Sequence, residues 1–155
     1  MKKEIIAFIP ARGGSKSIKN KNLKKLGKKN LVEIAINQAL KSKLFSKIIL
    51  SSDSSSILKV GKKYKKIEIF KRPPNISKDV SKTELAILNY FKNNKNYIAE
   101  YLIVLQVTSP LRKMKTLGKI PSAPLYPFQS CIYYVYTLFK YFYRWIWFKL
   151  LYIHC

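Results

Sequence analysis

The chain has 155 residues, with 31 basic against 7 acidic side chains for a formal charge of +24, a length that suits one domain with room for a real core. Cys131 and Cys155 have neither a metal-ligand nor a redox spacing, which excludes a thiolate metal site or a thiol-exchange motif. The five apolar residues behind Met1-Lys2-Lys3-Glu4 are too few for a signal-peptide core, so the readable part is expected to be cytoplasmic. The charge by itself points to nucleic acid or an anionic membrane as partner. Against that, Lys24, Lys25, Lys28, Lys29, Lys62, Lys63, Lys65 and Lys66 are spread over several expected elements, as on a solvated surface, and no dedicated nucleic-acid partner is expected.

Ile5 to Ile9 is an apolar run of strand length, ended by Pro10 and a glycine pair. It reads as a strand buried on both faces, as in a parallel sheet. The chain then turns small and basic. Gly13 and Gly14 offer backbone angles closed to other residues and let a ligand approach the main chain. Successive N–H groups in such a turn form an anion-binding concavity, and Arg12, Lys16 and Lys21 surround it with positive charge. Strand, glycine turn and cations together suggest a cradle for a polyphosphate. Neither G-x-x-x-x-G-K-[ST] nor G-x-G-x-x-G is present, so a generic glycine turn is the plainer alternative.

Leu31 to Leu44 reads as a helix, with Leu31, Ile34, Ala35, Ala39 and Leu40 near the helical period. Asn30 suits its N-cap and Glu33 the favourable end of its dipole. Ile48 to Leu50 is the next strand, and Ser51-Ser52-Asp53-Ser54 turns at its carboxyl end, where ligands sit in open α/β sheets. Asp53 is therefore either a site residue or the N-cap of a short helix over Ile57–Lys63. Ile67 to Phe70 is a third strand, and Lys71 to Asp79 a proline-rich loop. Ser81-x-x-Glu84 is a capping box opening a helix with Leu85, Leu88 and Phe91 along one stripe. Tyr101 to Gln106 is a fourth strand. Strands alternating with helices predict an α/β sandwich with a mainly parallel sheet.

Pro10-Ala11-Arg12-Gly13-Gly14-Ser15-Lys16, followed by Lys21-Asn22-Leu23, closely resembles the signature of the CMP-sialic acid synthetases (acylneuraminate cytidylyltransferases), whose relatives load legionaminic and pseudaminic acids onto CMP. Later stations are similar to the same family. Arg72-Pro73, then Asp79 with Ser81 and Thr83, resembles its second nucleotide segment. Leu105-Gln106-x-Thr108-Ser109-Pro110-Leu111-Arg112 resembles its third. Ser17, Lys19 and Val107 depart from the usual residues. The resemblance covers about residues 4–112. It implies a three-layer sandwich around a mainly parallel, Rossmann-like sheet of the nucleotide-diphospho-sugar transferase type. With the strand order third-second-first-fourth, the Gly13–Gly14 loop would lie beside the Thr108–Arg112 loop.

The resemblance also implies a reaction. The family joins CTP to a nonulosonic acid such as N-acetylneuraminate: the anomeric hydroxyl attacks the α-phosphate and pyrophosphate leaves. That chemistry needs positive charge on the leaving phosphates and in-line positioning. By the resemblance, Arg12 and Lys21 are the catalytic residues that carry this charge, and Ser15 with the Gly13 and Gly14 backbone donates hydrogen bonds. Asn22, Arg72, Ser81, Thr83 and Gln106 complete the nucleotide site, an amide such as Gln106 being able to donate and accept toward a base. Mg²⁺ is the implied cofactor. Its aspartate ligands lie in the family's second half, and Asp53 and Asp79 do not match them, so no metal ligand is expected here. The sugar pocket and most of the family's homodimer interface are expected to be missing for the same reason.

Past Arg112 the vocabulary changes. Residues 113–155 hold no acidic residue and no Asn, yet 13 of the 21 aromatics, both Trp, both Cys and the only His. The expected organisation is a nucleotide-binding portion over 1–112 and an aberrant aromatic, basic tail over 113–155 outside the family fold, the chain being truncated relative to the family. Three origins compete for the tail. It is a frameshifted product, or a membrane segment over Cys131–Ile153, or an interfacial helix whose polar face is spoiled by Lys149. In the membrane case Lys140, Arg144 and Lys149 each cost about 2–3 kcal/mol near the bilayer centre. If ordered, Ile132–Ile153 reads as a helix sharing no packed core with the sheet. Two functions follow: a cytidylyltransferase-type protein, expected to be inactive without a metal and sugar half, or a non-catalytic basic binding protein whose aromatic tail contacts membrane or nucleic acid. Basic residues gathered on one surface would favour the second.

Overall fold

The computed structural model describes residues 4–14, 18–73, 83–94 and 101–112, together with the backbone of two strands at 133–137 and 150–153. In chain order the elements are β1 (Ile5–Pro10), a 3-10 turn (Lys21–Leu23), β2 (Lys25–Leu26), β3 (Lys29–Asn30), α1 (Leu31–Ser42), β4 (Lys47–Ser52), α2 (Ser55–Lys62), β5 (Glu68–Lys71), α3 (Thr83–Asn93), β6 (Tyr101–Val104), β7 (Tyr133–Thr137) and β8 (Leu150–Ile153).

The main sheet runs β5-β4-β1-β6-β7-β8. Its first four strands are parallel and in the expected order, with β1 in the interior. Register follows Ile6↔Lys47 on one side of β1 and Ile6↔Leu102 on the other. Side chains of a strand alternate between faces, and the burial follows that alternation. Ile5, Ala7 and Ile9 join Ile48, Leu50, Ile103 and Leu105 against Val32, Ala35, Ile36 and Ala39 of α1 and Ile57 of α2. Ile6 and Phe8 join Ile49, Leu102 and Val104 on the other face, against Ala86, Ile87 and Tyr90 of α3. This is the three-layer sandwich. Each such side chain removed from water stabilises the fold by about 1.5–3 kcal/mol, which is why the apolar runs, rather than intrinsic strand propensity, decide where the sheet lies.

Local chemistry sets the helix ends. At α1 the Glu33 N–H donates to Asn30 Oδ1 (2.8 Å) and the Asn30 N–H to Glu33 Oε2 (2.9 Å), a complete capping box. The helix stops at Ser42, two residues short of the expected Leu44, because Lys43 enters the left-handed region at φ 54°. The hairpin of β2 and β3, turning through Gly27 at φ 66°, is not anticipated by the sequence pattern. Its strands have two residues each, too few to show a period.

Parallel strands place their following loops at one end of the sheet. Three backbone bonds fasten those loops: the Ala11 N–H to Ser51 O, the Arg72 N–H to Ser52 O and the Leu105 N–H to Phe8 O, each 2.9 Å. Because α3 runs back between two parallel strands, Thr83 at its start lies at this same end. Within the tail, the expectation of a helix over Ile132–Ile153 is corrected where the structure describes it. β7 pairs antiparallel with β6, and β8 with β7. Tyr133-Tyr134-Val135-Tyr136-Thr137 is rich in aromatic and β-branched residues, which favour an extended chain. Trp145 and Trp147 lie outside the described residues, as do Ser81 of the expected capping box and most of the proline-rich loop. Among the described residues no helix is long and apolar enough to cross a membrane.

Candidate functional site

The carboxyl end of the sheet gathers most of the described residues singled out from the sequence. Gly13 follows β1, and its N–H donates to Asp53 Oδ1 at 2.9 Å. A Cβ added at Gly13 would lie 2.7 Å from the Ser54 Cβ, whereas one added at Gly14 meets nothing within 4 Å. The reason for glycine is therefore corrected. Among the described glycines only Gly27 has a positive φ, so Gly13 is required by close approach of two loops and not by a special backbone angle. Gly14 is exposed and leaves room above the main chain.

Asn22, in the 3-10 turn, is 8% exposed, and its Nδ2 donates to the Arg12 carbonyl at 2.8 Å. The turn is thereby tied to the glycine loop, with the Arg12 side chain exposed beyond it and Lys21 half-buried at the turn's first position.

Arg72 follows β5 and is 7% exposed. Its Nε and Nη2 have no hydrogen-bond partner, and Nη2 lies 4.0 Å from Asp53 Oδ1, an ion pair without a hydrogen bond. Burial pulls the guanidinium's pKa below its ordinary value; the Asp53 carboxylate opposes that, and the positive charge of Arg12 adds to it. The Arg12 charge is thus felt at Arg72. A buried polar group left unpaired costs about 1–3 kcal/mol, more when charged. An anion that satisfies Nε and Nη2 recovers that cost, and the planar guanidinium fork matches phosphate oxygens.

Gln106 lies just past β6, half-buried, with Oε1 3.4 Å from the Thr108 hydroxyl. Its loop is held by a network that sequence reasoning missed. Arg112, 5% exposed, donates from Nη2 to the Gln106 carbonyl (2.8 Å) and from Nη1 to Gln38 Oε1 (2.7 Å). Gln38 Nε2 donates to the Pro110 carbonyl at 2.8 Å. Gln38 sits on α1, 74 positions from Arg112, so only the fold joins them. Asp53 was placed by its strand end but left between site and N-cap. The structure excludes the N-cap role: Ser54, not Asp53, is the N-cap of α2.

Gly13 and Arg72 thus meet at Asp53, Asn22 attaches through the Arg12 carbonyl, and Gln106 and Thr83 lie at the same end of the sheet. Ser15 and Ser81 lie outside the described residues, as do Lys16 and Asp79. Among the described residues there is no group of three or more His, Cys, Asp or Glu that could hold a metal ion. Asp53 Oδ1 is itself engaged by the Gly13 N–H. The described residues therefore do not by themselves fit a Mg²⁺ site.

Comparison with known proteins agrees with this geometry. The family model described as cytidylyltransferase matches residues 6–140. The chain is similar to the post-translational flagellin modification protein B of Campylobacter coli, with 36% identity over 75% of this chain and 51% of that protein. It is similar also to the pseudaminic acid cytidylyltransferase of Campylobacter jejuni, with 37% identity over 68% of this chain and 47% of that protein. It thus spans about half the length of these curated relatives. Its fold is like that of CMP:2-keto-3-deoxy-manno-octonic acid synthetase, solved in complex with CTP, at a TM-score of 0.60 and 17% identity over 78% of this chain and 50% of that one. A family match that takes in β1, the glycine loop, Arg72 and the Gln106–Arg112 loop together means that the chain belongs to the cytidylyltransferase family.

Proposed function

We propose that the carboxyl end of this sheet is the CTP-binding part of an enzyme that activates a nonulosonic, sialic-type acid as its CMP-sugar, releasing pyrophosphate in the cytoplasm. The observation that carries the reading is Arg72, a buried guanidinium with two unpartnered nitrogens beside the glycine loop. In this reading Arg12, Lys21 and Arg72 draw negative charge onto the phosphates, most strongly as pyrophosphate departs. The open backbone at Gly14, with Ser15, takes phosphate oxygens. Thr83, Ser81 and Gln106 serve the nucleoside, Gln106 reading the base by its amide, and Asn22 holds the loop. Relatives named for pseudaminic and N-acylneuraminic acid support a nonulosonic co-substrate. Mg²⁺ would accompany the triphosphate and neutralise phosphate charge. The chain is expected to bind CTP without making CMP-sugar at an ordinary rate.

The alternative of a basic binding protein gains no support from the exposed lysines, which are spread over the β2–β3 hairpin, the end of α1, α2 with the loop after it, and α3. The test is purified chain with CTP, Mg²⁺ and a panel of nonulosonic acids, following both CTP binding and pyrophosphate. Saturable CTP binding supports the half-site. Failure to bind CTP refutes it. Turnover at about 1–10³ s⁻¹ refutes the expectation of an inactive chain.

A further inference from the structure

We infer that Asp53 is a positioning residue of the nucleotide site, holding the Gly13 amide and facing the buried Arg72 guanidinium so that loop and cation are set before the ligand arrives. The inference rests on the reading of this end of the sheet as a CTP site. Asp53 is 40 positions from Gly13, and one carboxylate oxygen, Oδ1, serves both partners. It accepts from the Gly13 N–H at 2.9 Å and lies 4.0 Å from Arg72 Nη2.

Two consequences follow from those distances. First, the Gly13 N–H is spent on Asp53 and is not a phosphate donor. The anion-binding backbone is then displaced onto Gly14. The 2.7 Å approach of a Gly13 Cβ to Ser54 shows how closely this bond draws the two loops together. Second, Asp53 keeps Arg72 within an ion pair but outside hydrogen-bond reach. A carboxylate in bidentate contact would occupy the guanidinium fork and compete with phosphate. At 4.0 Å it offsets the charge of Arg72 while Nε and Nη2 stay without hydrogen-bond partners. The acceptor function needs only an oxygen; the charge-balancing function needs the anion. Asp53→Asn retains the first and loses the second, and Asp53→Ala loses both.

The experiment measures Gly13 amide hydrogen exchange and CTP affinity in the full chain, as wild type, D53N and D53A. Gly13 is expected to be protected in wild type and D53N and fast in D53A, while the core amide of Ile49 stays slow in all three. CTP binding is expected to fall about 10- to 100-fold in D53A, the size of a lost hydrogen bond to a charged group, and to recover most of that loss in D53N. A Gly13 amide that exchanges freely in wild type, or as slowly in D53A as in wild type, overturns the inference. So does a D53N as weak toward CTP as D53A. D53L, which fills the volume without an acceptor, replaces D53A should the latter lose Ile49 protection. Absence of CTP binding in the wild type with a protected Gly13 would sink the proposed function and leave the loop assignment standing, so the two failures are distinct.

Discussion

Replacing Gly13 by alanine tests the packing of the site most sharply, because its neighbour Gly14 serves as an internal control. The new Cβ at position 13 would lie 2.7 Å from the Ser54 Cβ and 3.6 Å from its Cα. A Cβ is fixed to its backbone and cannot rotate aside, so one loop must retreat by about 0.8 Å to reach the ~3.5 Å at which carbon atoms normally meet. The Gly13–Asp53 bond, 2.9 Å in the intact protein, would then be too long to count as a hydrogen bond. Overpacking costs about 1–3 kcal/mol and the lost bond about 1 kcal/mol more. In a domain of this size, 2–4 kcal/mol lowers Tm by roughly 5–15 °C. Gly14→Ala meets nothing within 4 Å, so its Tm should stay within about 2 °C of wild type, while CTP affinity falls because the methyl occupies the space above the backbone. Differential scanning calorimetry and CTP titration on both variants read the two effects apart. A Gly13→Ala protein as stable as wild type would refute the close approach of these loops, and with it the explanation of the glycine.

Other outcomes follow from the same structure. Gly61→Ala in α2 should destabilise by up to about 2 kcal/mol in urea unfolding: the helix gains about 1 kcal/mol of propensity, but overpacking costs about 1–3 kcal/mol, since its Cβ would meet Leu50 Cδ2 at 2.5 Å and Ile69 Cδ1 at 2.6 Å. Arg112→Ala should lower stability by about 3 kcal/mol by leaving the Gln106 carbonyl and Gln38 Oε1 without this donor, and Gln38→Ala by less, with thermal melts as the measure. Stability should also fall on the alkaline side. Burial, and the Glu68 carboxylate that accepts its hydroxyl at 2.8 Å, push Tyr90 up from 10.0 to about 12, against the lowering effect of Lys47. Burial lowers Lys47, but its contacts with Glu68 (2.6 Å) and Tyr90 outweigh this and raise it above its ordinary value. Both folded values exceed the unfolded ones, so this contribution is complete below about pH 10 and is lost as pH rises toward 12 and beyond. Tyr90→Phe should flatten the tyrosine part of that loss in melts taken from pH 8 to pH 12.

The four parallel strands were legible because each is built on a short apolar run, and Ile5–Ile9 is buried on both faces as such a run requires. The helical stripes and the Asn30–Glu33 cap were equally plain, since they depend on neighbours three and four positions apart. What could not be read were relations across the fold. That Gly13 is small because of Ser54, that Asp53 serves Gly13 and Arg72, and that Gln38 braces Arg112 depend on strand order and register, which periodicity does not encode. The sequence pattern pointed to the right glycines with an incomplete physical reason. Ile132–Ile153 misled for a related cause: a long apolar, aromatic run is compatible with helix and strand alike, and the choice depends on the free edge of β6 that β7 covers.

The central claim is that the two Arg72 nitrogens without hydrogen-bond partners take up a nucleotide phosphate. Arg72→Met keeps most of the volume and removes the charge. Isothermal titration of CTP into wild type and this variant, with melts of both, tests it directly. The account predicts saturable binding to the wild type, weakened at least about tenfold in the variant through loss of charged hydrogen bonds. It also predicts a Tm that shifts little, because relief of the two unsatisfied nitrogens is offset by loss of the ion pair with Asp53. Unchanged CTP affinity in Arg72→Met, or a wild type that takes up no CTP, would contradict it.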